Sequence, residues 1–122
     1  MIDYGELVGD LYKVPDSWWG FDKPGGHDHP GACVGYHEAG YKVIVLKGTD
    51  PRSANYRYAA VLVEPDASNN LSKRTSFAIN AKRISVQRLG LLADEKIGVL
   101  AASDLQRMQD ELNRQFLDRD GD

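Results

Sequence analysis

Residues 41–47, YKVIVLK, limit the fold more than any other stretch of the chain. Three β-branched or apolar side chains in a row, Val43, Ile44 and Val45, fit a pleated strand, and a Glu-Ala-Gly turn signal at 38–40 precedes them. Similar short runs recur. Residues 8–14 (VGDLYKV) read as a strand stopped by Pro15, and residues 32–37 (ACVGYH) as a second. Residues 58–64 (YAAVLVE) end at Pro65-Asp66, and two short strands are expected over 75–80 and 83–88. Only the last segment changes period. Leu105, Met108, Leu112 and Phe116 repeat at helical spacing. Ser103 and Gln106 form a capping box before them, and Asp110 and Arg114 stand as an i,i+4 pair. The helix is expected to reach about Leu117, with a frayed tail. These elements predict one mainly β domain over residues 1–122, a small curled antiparallel barrel of five to six strands with a C-terminal helix.

Composition excludes several classes. With 42% hydrophobic and 27% charged residues, the 122-residue chain is neither disordered nor collagen-like. No apolar run approaches the ~20 residues of a membrane span, and the first ten residues are acidic. A cytoplasmic protein without a signal peptide is therefore expected. Cys33 is the single cysteine, so no internal disulfide or cysteine-rich zinc finger can form. The net charge of −3 is uneven, because residues 41–92 carry nine bases against three acids. A basic middle suits a phosphate backbone or an acidic peptide, though strands also need polar outer faces.

The chemistry-bearing residues cluster early. Residues 15–30 form a loop with three prolines and three glycines, and loops of that length are usually functional or mobile. His27, His29 and His37 lie within eleven residues. Histidine exchanges protons near neutral pH, so His27 and His29 are candidates for general acid–base work. A zinc set drawn from His27, His29, Cys33 and His37 is a competing use, as is a polar loop bonded to backbone and water. Trp19, beside Trp18 and Phe21, is a candidate base-stacking ring; packing is the commoner use of such a cluster. Thr49, near Arg52 and Arg57, could hold a phosphate, or serve as an ordinary turn residue. Nucleotide-binding glycine loops, GxSxG and HExxH are absent from the sequence.

The order of these pieces resembles the MazF/PemK family of toxin–antitoxin growth inhibitors, whose fold is shared with CcdB. Gly9-Asp10-Leu11-Tyr12 is similar to that family's opening strand, and His29-Pro30 stands where a residue-plus-proline leads into its second. Val43 to Thr49 resembles the hydrophobic strand that ends in threonine. Leu71-Ser72-Lys73-Arg74-Thr75-Ser76 resembles Gly-Leu-x-Lys-x-Ser, and Arg83-Ile84-Ser85 stands where Arg-Thr-Ile usually stands. Arg88-Leu89 and Ile97-Gly98-Val99-Leu100 complete the series. The resemblance implies a homodimeric SH3-like barrel, a metal-independent endoribonuclease on single-stranded RNA, with no cofactor, neutralised by an acidic antitoxin peptide. Two features depart from the family. Its arginine before the proline is replaced by His29, and its Arg-x-Asp pair by Ala78 and Asn80. On this reading His29 or His27 is the acid or base, Thr49 holds phosphate, and Arg52, Arg57 or Arg83 stabilises charge, with Trp19 beside the RNA. A non-catalytic RNA- or protein-binding module on the same fold is the alternative. A CcdB-like gyrase poison fits less well, because the residues after Phe116 offer no apolar end.

Overall fold

The computed structural model describes residues 7–19, 28–37, 41–53, 60–79 and 82–120. Among these residues seven strands are seen: β1 (Asp10–Pro15), β2 (Asp28–His37), β3 (Lys42–Thr49), β4 (Ala60–Val63), β5 (Thr75–Ala78), β6 (Lys82–Ser85) and β7 (Lys96–Val99). A short helix α1 (Val86–Gly90) precedes β7, and α2 (Ala102–Asp120) follows it. The pairing is antiparallel in the order β4-β5-β3-β2-β1-β7, with β6 also on β3. The chain is thus mainly β, a curled antiparallel sheet with one long C-terminal helix, as the sequence predicts.

The central strands are buried on both faces, which explains the unbroken apolar run of β3. Ile44 and Leu46 face one core cluster with Leu11, Phe77, Met108 and Leu112. Val43 and Val45 face a second with Val14, Cys33, Ile84 and Leu89. Alternate residues of a strand point to opposite faces, so both clusters hang on the same three strands. The helical stripe Leu105, Met108 and Leu112 packs on the first cluster. The side chain of Phe116 lies outside the described residues.

Several boundaries differ from expectation. Residues 83–88 are not one strand. The Ser85 hydroxyl accepts from the Arg88 backbone N–H at 3.0 Å and caps α1, and Val86, Leu89 and Leu92 then bury at helical spacing. Ser103 does not cap α2. Ala102 opens the helix, and the Ala101 carbonyl accepts from Asp104 and Leu105. Gln106 donates to Asp110 instead of reaching back to the helix start, and the Arg114 guanidinium bonds Glu111. The strand β2 begins at Asp28, so His29 and Pro30 belong to a strand rather than to the preceding loop.

Three strands lie at margins of the sheet, and two of these are covered. Arg107 of α2 donates to the Leu62 carbonyl at 2.9 Å, closing the β4 side. At β7 the turn after β4 takes over. Val99 donates to the Ser68 carbonyl at 2.9 Å, and the Asn70 side chain donates to the Ile97 carbonyl at 3.1 Å. The margin of β6 carries the basic pair Lys82 and Arg83, a charge arrangement that discourages edge-to-edge association. Lys96 of β7 reaches the buried Asp10 of β1 at 3.3 Å, and the Tyr12 hydroxyl donates to the same carboxylate at 3.1 Å. Burial, and then that carboxylate, raises the Tyr12 phenol above its ordinary range.

Contact between β7 and the turn is close enough to require glycine. A methyl group on Gly98 would lie 2.4 Å from the Ser68 carbonyl oxygen and 2.6 Å from that of Asn69. Gly98→Ala is therefore expected to lose about 1–3 kcal/mol of stability through overpacking. Gly35→Ala, where a methyl meets no atom within 4 Å, should stay within about 0.5 kcal/mol. Urea denaturation of the two variants checks the contrast.

Candidate functional site

Where β2 begins and β3 ends, the register brings together residues twenty apart in sequence. Gly31 pairs with Lys47. Continuing that ladder by two residues sets His29 opposite Thr49. The His29 imidazole Nδ1 lies 3.2 Å from the Gly48 carbonyl oxygen. A carbonyl only accepts, so this bond needs a proton on Nδ1 and leaves the lone pair of the neutral ring on Nε2. Gly48 itself admits no side chain. A methyl there would meet Thr75, Phe77 and Pro30 at 2.7–2.9 Å. The missing side chain lets β2, β3 and β5 converge below the histidine.

A groove of about 640 Å³ opens at this corner. It is lined by Lys13 of β1, by Ile97 of β7 and by the turn bearing Asn70, Leu71, Ser72 and Lys73. His29, Thr49 and Asp50 lie along it. The turn is rigid for a local reason. Asn69 is fully buried. Its amide oxygen accepts from the Asp66 and Leu71 N–H groups, and its nitrogen donates to the Glu64 carbonyl. The Asp66 carboxylate in turn accepts from Ser68 and Asn69. Asn70 takes a left-handed φ of 54°, a conformation asparagine tolerates.

Asp50 organises the cations of the groove. Its Oδ1 accepts from the Arg52 backbone N–H at 2.9 Å and from Arg52 Nε at 3.2 Å. Its Oδ2 accepts from Arg52 Nη2 at 3.0 Å and from Lys73 Nζ at 3.1 Å. The hydrogen bonds from Arg52, then the one from Lys73, hold this carboxyl well below the usual carboxylate range. Lys13, Lys73 and Arg52 outnumber the one acid among them, so the rim is cationic.

The candidates drawn from the sequence separate on this scaffold. His29 and Thr49 share the groove, and Arg52 stands at its margin through Asp50. Arg83 does not join them. It pairs with Ile44, five residues back along β3 from Thr49, about 17 Å at strand rise. The Trp19 ring packs on the second core cluster, close to Gly31, and does not line the groove. His27 and Arg57 lie outside the described residues. The four-ligand zinc set cannot assemble. His29 and His37 stand at opposite ends of β2, about 26 Å apart, and Cys33 is buried between them. Among the described residues no group of three His, Cys, Asp or Glu is placed to hold a metal ion. Among the described residues no helix is long and apolar enough to cross a membrane.

Sequence reasoning passed over Lys13, Asp50, Asn70 and Lys73. The Thr-Asp-Pro-Arg stretch carries a signal for Asp50, since an aspartate commonly accepts from the N–H two residues on. Nothing local marks Lys73, whose contact with Asp50 spans 23 residues. Compared with known proteins, the chain matches no protein-family model and no curated protein.

Two measurements check this picture. The folded pKa of Asp50 is depressed, so its stabilising effect is complete above the ordinary carboxylate pKa and is lost as pH falls below about 4. Native stability should fall more steeply than that of Asp50→Asn in this acid window, as followed by thermal melts against pH. Cys33 is pushed up to about 12, mainly by burial and then by Asp10. Its alkylation at pH 8 should be roughly 10³-fold slower in the native chain than in urea.

Proposed function

We propose that the chain is a diverged MazF/PemK-like growth inhibitor whose groove takes single-stranded RNA and cleaves it without a metal. The observation that carries this reading is His29 with Nδ1 at 3.2 Å from the Gly48 carbonyl, in one groove with Thr49, Lys13 and Lys73. The sequence resemblance places a functional residue at the His29 position, and a metal-independent ribonuclease needs a proton acceptor beside cationic phosphate contacts. His29 takes the proton of the 2′-hydroxyl. The 2′-oxygen attacks phosphorus, the bond to the 5′-oxygen breaks, and that oxygen takes a proton from solvent water while the His29 imidazolium returns its own to solvent. Products are a 2′,3′-cyclic phosphate and a 5′-hydroxyl. Thr49 donates to a phosphate oxygen, and Lys13 and Lys73 offset the charge of the five-coordinate phosphorus. In the same reading the chain acts as a homodimer and an acidic antitoxin peptide neutralises it.

A second reading, RNA binding without cleavage, is favoured by one specific observation. Arg52 and Lys73 both bond Asp50 and Arg83 stands far along β3, so among the described residues that line the groove Lys13 is the one cation not bonded to that acid. Cleavage of single-stranded RNA in excess EDTA separates the two. His29→Ala is expected to slow cleavage by ~10²–10⁴-fold with the fold intact. Thr49→Ala should lower the rate less. Wild-type rates in a folded His29→Ala variant would reject the catalytic role, and binding with no cleavage by the native chain would select the second reading.

A further inference from the structure

An acid in a groove meant for a polyanion is an electrostatic liability, and Asp50 stands in this one. Its surroundings give it a use. Both oxygens are occupied, by three donors of Arg52 and by the Lys73 ammonium. The Asp50 side chain is 16% exposed, whereas those of Lys73 and Arg52 are 62% and 89% exposed. The carboxylate thus lies beneath two cations that face outward. Arg52 Nη2 and Lys73 Nζ both bond Oδ2, so they are at most about 6 Å apart. Two cations so close repel unless an anion separates them. Lys73 comes from the turn after β4 and Arg52 from the end of β3, and Asp50 ties these segments together. Lys73 lines the groove, whereas Arg52 lies beyond it.

We infer that Asp50 is a positioning residue that fixes Lys73 and Arg52 as a continuous cationic rim, which makes the groove selective for an oligonucleotide strand over a mononucleotide. The inference rests on the RNA reading above. A mononucleotide in the groove reaches Lys13 and Lys73 but not Arg52. A strand that leaves the groove past Thr49 carries further phosphate to Arg52. The net gain is one outward positive charge, with both cations held in one geometry rather than spread over rotamers.

Simple charge counting and positioning predict opposite signs, which makes the test decisive. Binding of a short single-stranded oligoribonucleotide and of a mononucleotide is measured across salt concentrations, for the native chain and for Asp50→Asn, Asp50→Glu and Arg52→Ala. Asp50→Asn removes a negative charge, yet it should weaken oligonucleotide binding about tenfold and reduce the salt slope by about one. Mononucleotide binding should change less than twofold. Asp50→Glu should recover part of the loss. Arg52→Ala, at a mostly exposed side chain, tests the rim without disturbing the fold and should also lose about one unit of slope. Equal or tighter oligonucleotide binding by a folded Asp50→Asn overturns the inference. An unchanged slope in Arg52→Ala does the same. If the native chain binds no oligonucleotide at all, the RNA reading fails and this inference fails with it.

Discussion

The buried amide of Asn69 is where the two ends of the sheet are brought together. It uses both of its polar atoms on the backbone of its own turn, accepting from Asp66 and Leu71 and donating to Glu64. A fully buried amide must be satisfied in this way, and once satisfied it fixes the turn as a rigid piece. That piece then does two things. Its Ser68 carbonyl accepts from Val99 and covers the margin of β7. Its next residues, Asn70 to Lys73, form one wall of the groove. Closure of the sheet and construction of the groove follow from the same few hydrogen bonds.

Two glycines set how near the surrounding elements can come. Gly98 allows β7 to lie against the turn, and Gly48 allows β2, β3 and β5 to meet under His29. In both cases the constraint is steric. At Gly98 the backbone of the turn occupies the space a side chain would need, and at Gly48 the side chains of Thr75, Phe77 and Pro30 do. The ion cluster of Asp50 acts differently. It joins the end of β3 to the turn by charge, at an exposed position where such pairs contribute little to stability. Its contribution is to geometry, since it determines where two long and flexible cations sit.

Much of the architecture was legible because the local signals agreed. The apolar run of β3, the proline stops and the helical stripe of α2 all pointed one way. The exceptions have local causes. Residues 83–88 contain strand-forming side chains, but the hydroxyl of Ser85 gives the backbone a helical alternative. Ser103 and Gln106 satisfy the capping pattern, yet the helix begins at Ala102, before Ser103, and Gln106 bonds forward. Half of the groove was readable. His29 and Thr49 end neighbouring strands, and a register argument brings them together. Lys13, Asn70 and Lys73 were not, because their place depends on how the sheet curls and on a turn held by a single buried side chain. The distance between Arg83 and Thr49 was hidden for a related reason: β5 and β6 follow one another along the same side of β3.

The groove lies at the seam where the curled sheet closes, lined by Ile97 of β7 and by residues of the turn that meets it. That seam is joined by isolated hydrogen bonds between β7 and a turn, not by a full strand ladder. Segments joined so sparsely open at lower free energy than the core strands around them. In the proposed RNA reading, a strand that contacts both Lys13 of β1 and Lys73 of the turn acts as a staple across that opening. In that reading binding is linked to the local melting of the seam: whatever loosens the turn weakens the ligand's grip before the cores unfold, and the ligand in turn keeps the sheet closed.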